Sequence, residues 1–190
     1  KGIATLHRLA IVHRDIKTGN LHLGQDGLLR ILDLGVALSL GERKPDDPVG
    51  PAGTPSYMAP ELFAGAAPEP GFDLYAAGVT LYHLLTRKYP YGEIEPFQKP
   101  KFGEPARPMR WRPEIPGWLE NLLLKAVARE GKDRFETAEE FLLALERGAS
   151  RPVAAPGRQP LVQRNPLMLW KIVAAASLAV NLVLLLKLLH

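Results

Sequence analysis

The stretch FDLYAAGVTLYHLLTRK, residues 72–88, constrains this chain more than any other. Its apolar residues are not confined to one stripe, so a helix built from it is buried on most sides and needs neighbours all round. WLENLLLKAVARE (118–130) and TAEEFLLALERG (137–148) read as amphipathic helices able to pack against it. The second opens on Thr137 as N-cap with Glu140 as its capping-box partner, and closes on Gly148 as C-cap. Between 72–88 and these helices lies YPYGEIEPFQKPKFGEPARPMRWRPEIP, whose prolines allow little regular helix.

Ahead of the apolar helix, LHL (21–23) and LLRILDL (28–34) flank GQDG and predict a short β-hairpin. Residues 36–71 are rich in Pro and Gly, and a loop of that length inside a compact domain is usually functional or disordered. The expected fold is therefore mainly α with a small β-hairpin. KGIATLHRLAIVHRD carries Ile3, Leu6 and Leu9 at helical spacing with no N-cap before them, so it reads as the second half of a helix in a sequence truncated at its start.

Charge divides the chain unevenly. Of 24 Lys and Arg, six lie from Arg147 onward, where there is no Asp or Glu, leaving 18 basic against 20 acidic side chains before it. A nucleic-acid-binding domain would concentrate positive charge on its folded part, so nucleic acid is not an expected partner. The absence of Cys excludes disulfides and thiolate metal sites. After a Pro/Arg-rich linker (148–166) comes LMLWKIVAAASLAVNLVLLLKLL, residues 167–189, in which only Lys171, Ser177, Asn181 and Lys187 are polar. A membrane span needs about 20 largely apolar residues. The polar positions define no stripe for packing on a domain, and the two lysines can snorkel toward headgroups. A single transmembrane helix is therefore expected, with the lipid bilayer as partner. The linker arginines place the domain on the cytoplasmic side of the cytoplasmic membrane.

The stretch IVHRDIKTGN (11–20), with DLG at 33–35, carries the chemistry. Phosphoryl transfer asks for a carboxylate to receive the hydroxyl proton, a carboxylate and a second ligand for Mg²⁺, and a cation on the moving phosphate. Asp15, Asp33, Asn20 and Lys17 supply these four. The hairpin between Asn20 and Asp33 doubles the chain back so that both metal ligands can meet at one end. His13 reads either as a metal ligand or as a packed structural residue; the five histidines show no metal spacing.

In HRDIKTGN, DLG, GTPSYMAPE, DLYAAGVTLYHLL and DRF (133–135), residues 1–147 resemble the C-terminal lobe of the eukaryotic-type Ser/Thr protein kinases, in family order and spacing. The resemblance implies Asp15 and Lys17 as catalytic residues, the latter on the γ-phosphate as in Ser/Thr kinases. It implies ATP and Mg²⁺ as cofactors, with Lys17, Asn20, His22 and Asp33 binding nucleotide and Asn20 and Asp33 holding the metal. Thr54 matches a brace for Asp15 and Lys17, Glu61 and Arg134 a buried ion pair, and Asp73 an acceptor for the loop backbone. Arg14 matches a position that holds an anion, and Asp46 and Asp47 could supply it from within the chain. Leu34 replaces the family's Phe, and His22 stands where a Leu underlies adenine.

No G-x-G-x-x-G loop, V-A-I-K-type lysine or matching helix glutamate occurs in the sequence. The N-terminal lobe is expected ahead of Lys1, and this chain alone is expected to be inactive. The whole is similar to bacterial membrane-anchored kinases, and in architecture and its YPYGEIEPF stretch to those fused behind a metal-dependent phosphatase. Protein substrates bearing Ser or Thr are the implied partners. A non-catalytic scaffold at the membrane is the alternative; it has no need of Asp15, Lys17, Asn20 and Asp33 together.

Overall fold

A computed structural model describes residues 1–41 and 52–148. Asp46, Asp47 and the expected span at 167–189 lie outside the described residues, and among those described no helix is long and apolar enough to cross a membrane. The elements run α1 (Gly2–Arg8), β1 (Ile11–Val12), β2 (Leu21–Leu23), β3 (Leu29–Ile31), β4 (Leu38–Ser39), α2 (Pro60–Phe63), α3 (Pro70–Thr86), α4 (Gly117–Ala126) and α5 (Ala138–Arg147). Four single 3₁₀ turns are interspersed, at Thr18–Asn20, Pro55–Tyr57, Pro108–Arg110 and Gly131–Asp133.

Helix α3 is the axis. Pro70 stands at its first position, where the missing N–H costs nothing. As its composition predicts, it buries residues on several sides. Phe72, Tyr75, Ala76 and Val79 meet Ile16, Tyr57, Ala59 and Val127 in one cluster, while Leu74 joins Leu122, Ala126, Phe135 and Phe141 in another. A fully buried side chain such as Leu122 contributes about 1.5–3 kcal/mol. Its buried hydroxyls are satisfied within the helix: Thr80 donates to the Ala76 carbonyl and Thr86 to that of Tyr82, each at 2.7 Å. Gly78 is the contact point with α4, since a Cβ there would lie 2.7 Å from that of Ala126.

The capping of α5 differs in detail from the sequence expectation. Thr137 Oγ1 accepts from the Glu140 N–H at 3.1 Å, but the Glu140 carboxylate reaches back to the Glu136 N–H at 2.8 Å, one residue before the cap. Gly148 closes the helix in a right-handed conformation rather than a left-handed one. Glycine is needed there because the Trp118 ring occupies the space of a Cβ, 2.0 Å away.

The hairpin pairs β2 with β3 antiparallel, Leu21 opposite Ile31 and Leu23 opposite Leu29. Gly27, at φ 74°, makes the turn. The fold class needs one addition: a second antiparallel sheet, in which Ile11–Val12 of β1 pairs with Leu38–Ser39 of β4. Two residues per strand leave no alternation to read in the sequence. This sheet positions the site, because the 13–20 loop leaves directly from β1.

Candidate active site

The loop that leaves β1 is pinned first by Asp73, 1% exposed in the first turn of α3. Its Oδ2 accepts from the His13 N–H at 2.7 Å and from His7 Nε2 at 3.1 Å, and its Oδ1 from the Arg14 N–H at 2.9 Å. Three donors make burial of this carboxylate tolerable. They also hold Arg14 at φ 70°, a conformation that costs a non-glycine residue about 1–3 kcal/mol. His13 is fully buried, its Nε2 donating to the Leu32 carbonyl at 3.1 Å and its Nδ1 accepting from the Asp15 N–H at 3.3 Å. Both ring nitrogens are thus committed, and His13 is the packed structural residue of the two readings.

Asp15, Lys17, Asn20 and Thr54 come together beyond it. Lys17 Nζ lies 2.7 Å from Asp15 Oδ2 and donates to Thr54 Oγ1 at 2.9 Å, while Thr54 donates to Asp15 Oδ1 at 2.9 Å. Asn20 Nδ2 donates to the Asp15 carbonyl at 2.8 Å and to its Oδ2 at 3.0 Å. Burial pushes the Asp15 carboxyl up, yet the hydrogen bonds from Lys17 and Thr54, the Lys17 charge and the Asn20 amide outweigh it and hold the group below its ordinary 3.8. The carboxylate is therefore ionised at neutral pH. Thr54 reaches it because Gly53, at φ 113°, runs against the loop: a Cβ there would sit 2.6 Å from the Arg14 carbonyl oxygen.

The donor set suits a divalent cation of Mg²⁺ type. Asn20 is 8% exposed and its amide nitrogen is spent on Asp15, which leaves its Oδ1 as a buried acceptor with no hydrogen bond among the described residues. Asp33 is exposed at φ 64°, with Oδ1 accepting from the Gly35 N–H at 3.0 Å. The Leu32 N–H bonds the Asn20 carbonyl at 2.8 Å, which continues the hairpin register and brings the backbones of Asn20 and Asp33 to its open end. Two oxygen ligands with positions left for phosphate and water are what Mg²⁺ tolerates best. Among the described residues no group of three or more His, Asp or Glu forms a metal cluster. His22 is exposed on β2 opposite Arg30.

A protein kinase domain model matches residues 1–142. The chain belongs to the protein kinase domain family. It is 36% identical over 156 residues to the tyrosine-protein kinase MasK of Myxococcus xanthus (strain DK1622), covering 80% of this chain and 24% of MasK. It is 35% identical over 142 residues to the serine/threonine-protein kinase PrkC of Bacillus subtilis (strain 168), covering 73% and 22%. With the serine/threonine-protein kinase Pkn1 of Myxococcus xanthus the identity is 32% over 174 residues, covering 84% and 25%. The chain thus spans about a quarter of the length of these relatives.

In this kinase domain the segment after Thr54 is tied to the body by Arg134, 5% exposed. Its Nη2 donates to both Glu61 oxygens at 2.9 Å, and the guanidinium also serves the Ala128 and Arg129 carbonyls and lies 4.7 Å over Tyr75. Beside Asp15 a cavity of about 250 Å³ opens between this segment and α3, lined by Met58, Leu62, Phe63, Pro68 and Phe72 among others. Sequence reasoning missed His7 on Asp73 and the contact of Thr18 with Tyr57, 3.2 Å between hydroxyls. Neither has a local signature, because the partners lie 66 and 39 residues apart.

Proposed function

We propose that this chain carries the catalytic loop of a membrane-tethered protein Ser/Thr kinase, which moves the γ-phosphoryl group of ATP to a protein hydroxyl. The observation that carries the reading is the closed arrangement of Asp15, Lys17 and Thr54, with the Asn20 Oδ1 left open beside it. Bound Mg²⁺ would neutralise charge on the phosphates, held by Asn20 and Asp33. Asp15, ionised and fixed by three partners, orients the incoming hydroxyl and receives its proton at a carboxylate oxygen. Lys17, already beside Asp15, brings its cation to the transferred phosphoryl group; its position two residues after Asp15 supports a Ser or Thr acceptor. The apolar cavity next to Asp15 suits an apolar side chain adjacent to that acceptor.

Activity is proposed for the polypeptide that joins these residues to a glycine-rich loop and a strand lysine. Transfer of labelled γ-phosphate to a protein substrate, followed by phosphoamino-acid analysis, tests it. Phosphoserine or phosphothreonine is expected, lost at least 10³-fold in Asp15→Asn. Absence of transfer by the wild-type protein would return the scaffold reading, and full transfer by the variant would remove Asp15 from the chemistry. The bilayer anchor rests on the sequence of 167–189: the protein should stay with membranes through alkaline carbonate washing, and a chain ended at residue 166 should not.

A further inference from the structure

The catalytic loop is held at two places by one helix. Asp73, in the first turn of α3, takes the His13 and Arg14 N–H groups. Ten residues on, roughly 15 Å along the helix axis, stands His83. Its Nδ1 lies 2.8 Å from the Tyr57 hydroxyl, and that hydroxyl lies 3.2 Å from Thr18 Oγ1, between Lys17 and Asn20. Tyr57 belongs to the 3₁₀ turn that directly follows Thr54 and is 5% exposed. The chain Thr18–Tyr57–His83 therefore joins the loop, the segment that braces Asp15, and α3. Nothing in the phosphoryl-transfer chemistry uses it.

We infer that His83 is a positioning residue: through Tyr57 and Thr18 its neutral ring holds the far end of the catalytic loop, and protonation of the ring weakens that hold. The inference rests on reading 13–20 as the catalytic loop. A phenol has one proton. When His83 Nδ1 is bare, Tyr57 donates to it and its oxygen is left to accept from Thr18. A protonated ring carries N–H at both nitrogens, so Nδ1 becomes a donor and the polarity of the chain reverses. Tyr57 then no longer donates to the ring and its proton turns to another acceptor, so the arrangement in which Thr18 donates to a phenol oxygen fixed by the ring is lost.

The surroundings favour the neutral ring. Tyr89 packs at 4.4 Å between ring centroids and Tyr57 at 6.1 Å; the charged groups facing the ring are Arg87 and Glu93. Burial pushes the imidazole down from its ordinary 6.5, Arg87 pushes it further, and Glu93 opposes them. Burial and then Tyr57 push the Tyr89 phenol up to about 12, so it adds no charge of its own. The hold is thus complete above pH 6.5 and is lost as pH falls through a lower value.

Amide hydrogen exchange in residues 15–20 of the full chain, corrected for intrinsic pH dependence, tests this alongside the NMR titration of the His83 ring. Exchange should rise roughly five-fold as the ring protonates, the effect of one hydrogen bond. Tyr57→Phe should exchange at the faster rate at both pH values. His83→Asn, whose amide oxygen takes the position of Nδ1 and accepts from the same phenol, should stay slow at both. Because Tyr57 is buried, Thr18→Val serves as a second cut of the chain and should match Tyr57→Phe. A wild-type loop whose exchange ignores the His83 titration, or a Thr18→Val loop as slow as wild type, overturns the inference. No nucleotide or substrate is present in this measurement, so a failure of phosphoryl transfer is a separate result.

Discussion

Asp15 shows how much of a site is set by the partners of one side chain. Desolvation alone would favour its neutral form, but three donors, one of them the Lys17 ammonium with its charge, reverse the balance. The group is a weak base that stays ionised, which suits the role proposed for it, orienting a hydroxyl while bond cleavage runs ahead of proton transfer. Thr54 is the shared partner of Asp15 and Lys17, so Thr54→Val should lower phosphoryl transfer about 10- to 100-fold by releasing both, while Thr54→Ser stays near wild type in steady-state kinetics. The lowered carboxyl also has a linkage consequence. Its folded value lies below the ordinary 3.8, so Asp15 adds stability above that pH, and the contribution disappears as pH falls through the folded value. Denaturation followed against pH should therefore show a shallower acid limb below about pH 4 in Asp15→Asn than in wild type.

At the scale of elements, the site depends on close approaches between segments distant in sequence. Gly53 makes one beside Asp15: it adopts φ 113° with its open side against the Arg14 carbonyl. Gly53→Ala should cost about 1–3 kcal/mol in thermal unfolding, from conformation and collision together. It should also move Thr54 away from Asp15, so activity should fall by more than stability alone accounts for. The two-residue pairing of β1 with β4 works in the same manner. Its few hydrogen bonds are marginal alone, but they fix where the loop starts.

Across the domain, α3 ties the rest together through buried polar groups as much as through apolar packing. Asp73 reaches α1 and the loop, and Arg134 joins the turn after α4 to Glu61 at the start of α2. Asp73→Asn keeps the volume but turns an amide toward N–H groups that need an acceptor. By chemical denaturation it should cost about 3–5 kcal/mol, the penalty for breaking a buried charged network. Its effect should reach the His13–Asn20 loop, where faster amide exchange would report the loss.

Neighbouring residues were enough to determine several features of this chain. The apolar run of 72–88 demanded a wrapped helix, Thr137 announced the start of α5, and GQDG announced the hairpin, because periodicity, capping and turn chemistry act within a few residues. The order of HRDIKTGN, DLG and GTPSYMAPE carried the family resemblance, and the candidate residues with it. Tertiary structure alone decided the pairing of Ile11–Val12 with Leu38–Ser39, the placing of His7 on Asp73, the seat of Gly148 beneath Trp118, and the Thr18–Tyr57–His83 chain. Each joins groups between 26 and 66 residues apart, or a backbone to a distant ring. Such contacts leave no local pattern, because the energy that selects them exists only once the whole core has closed around α3.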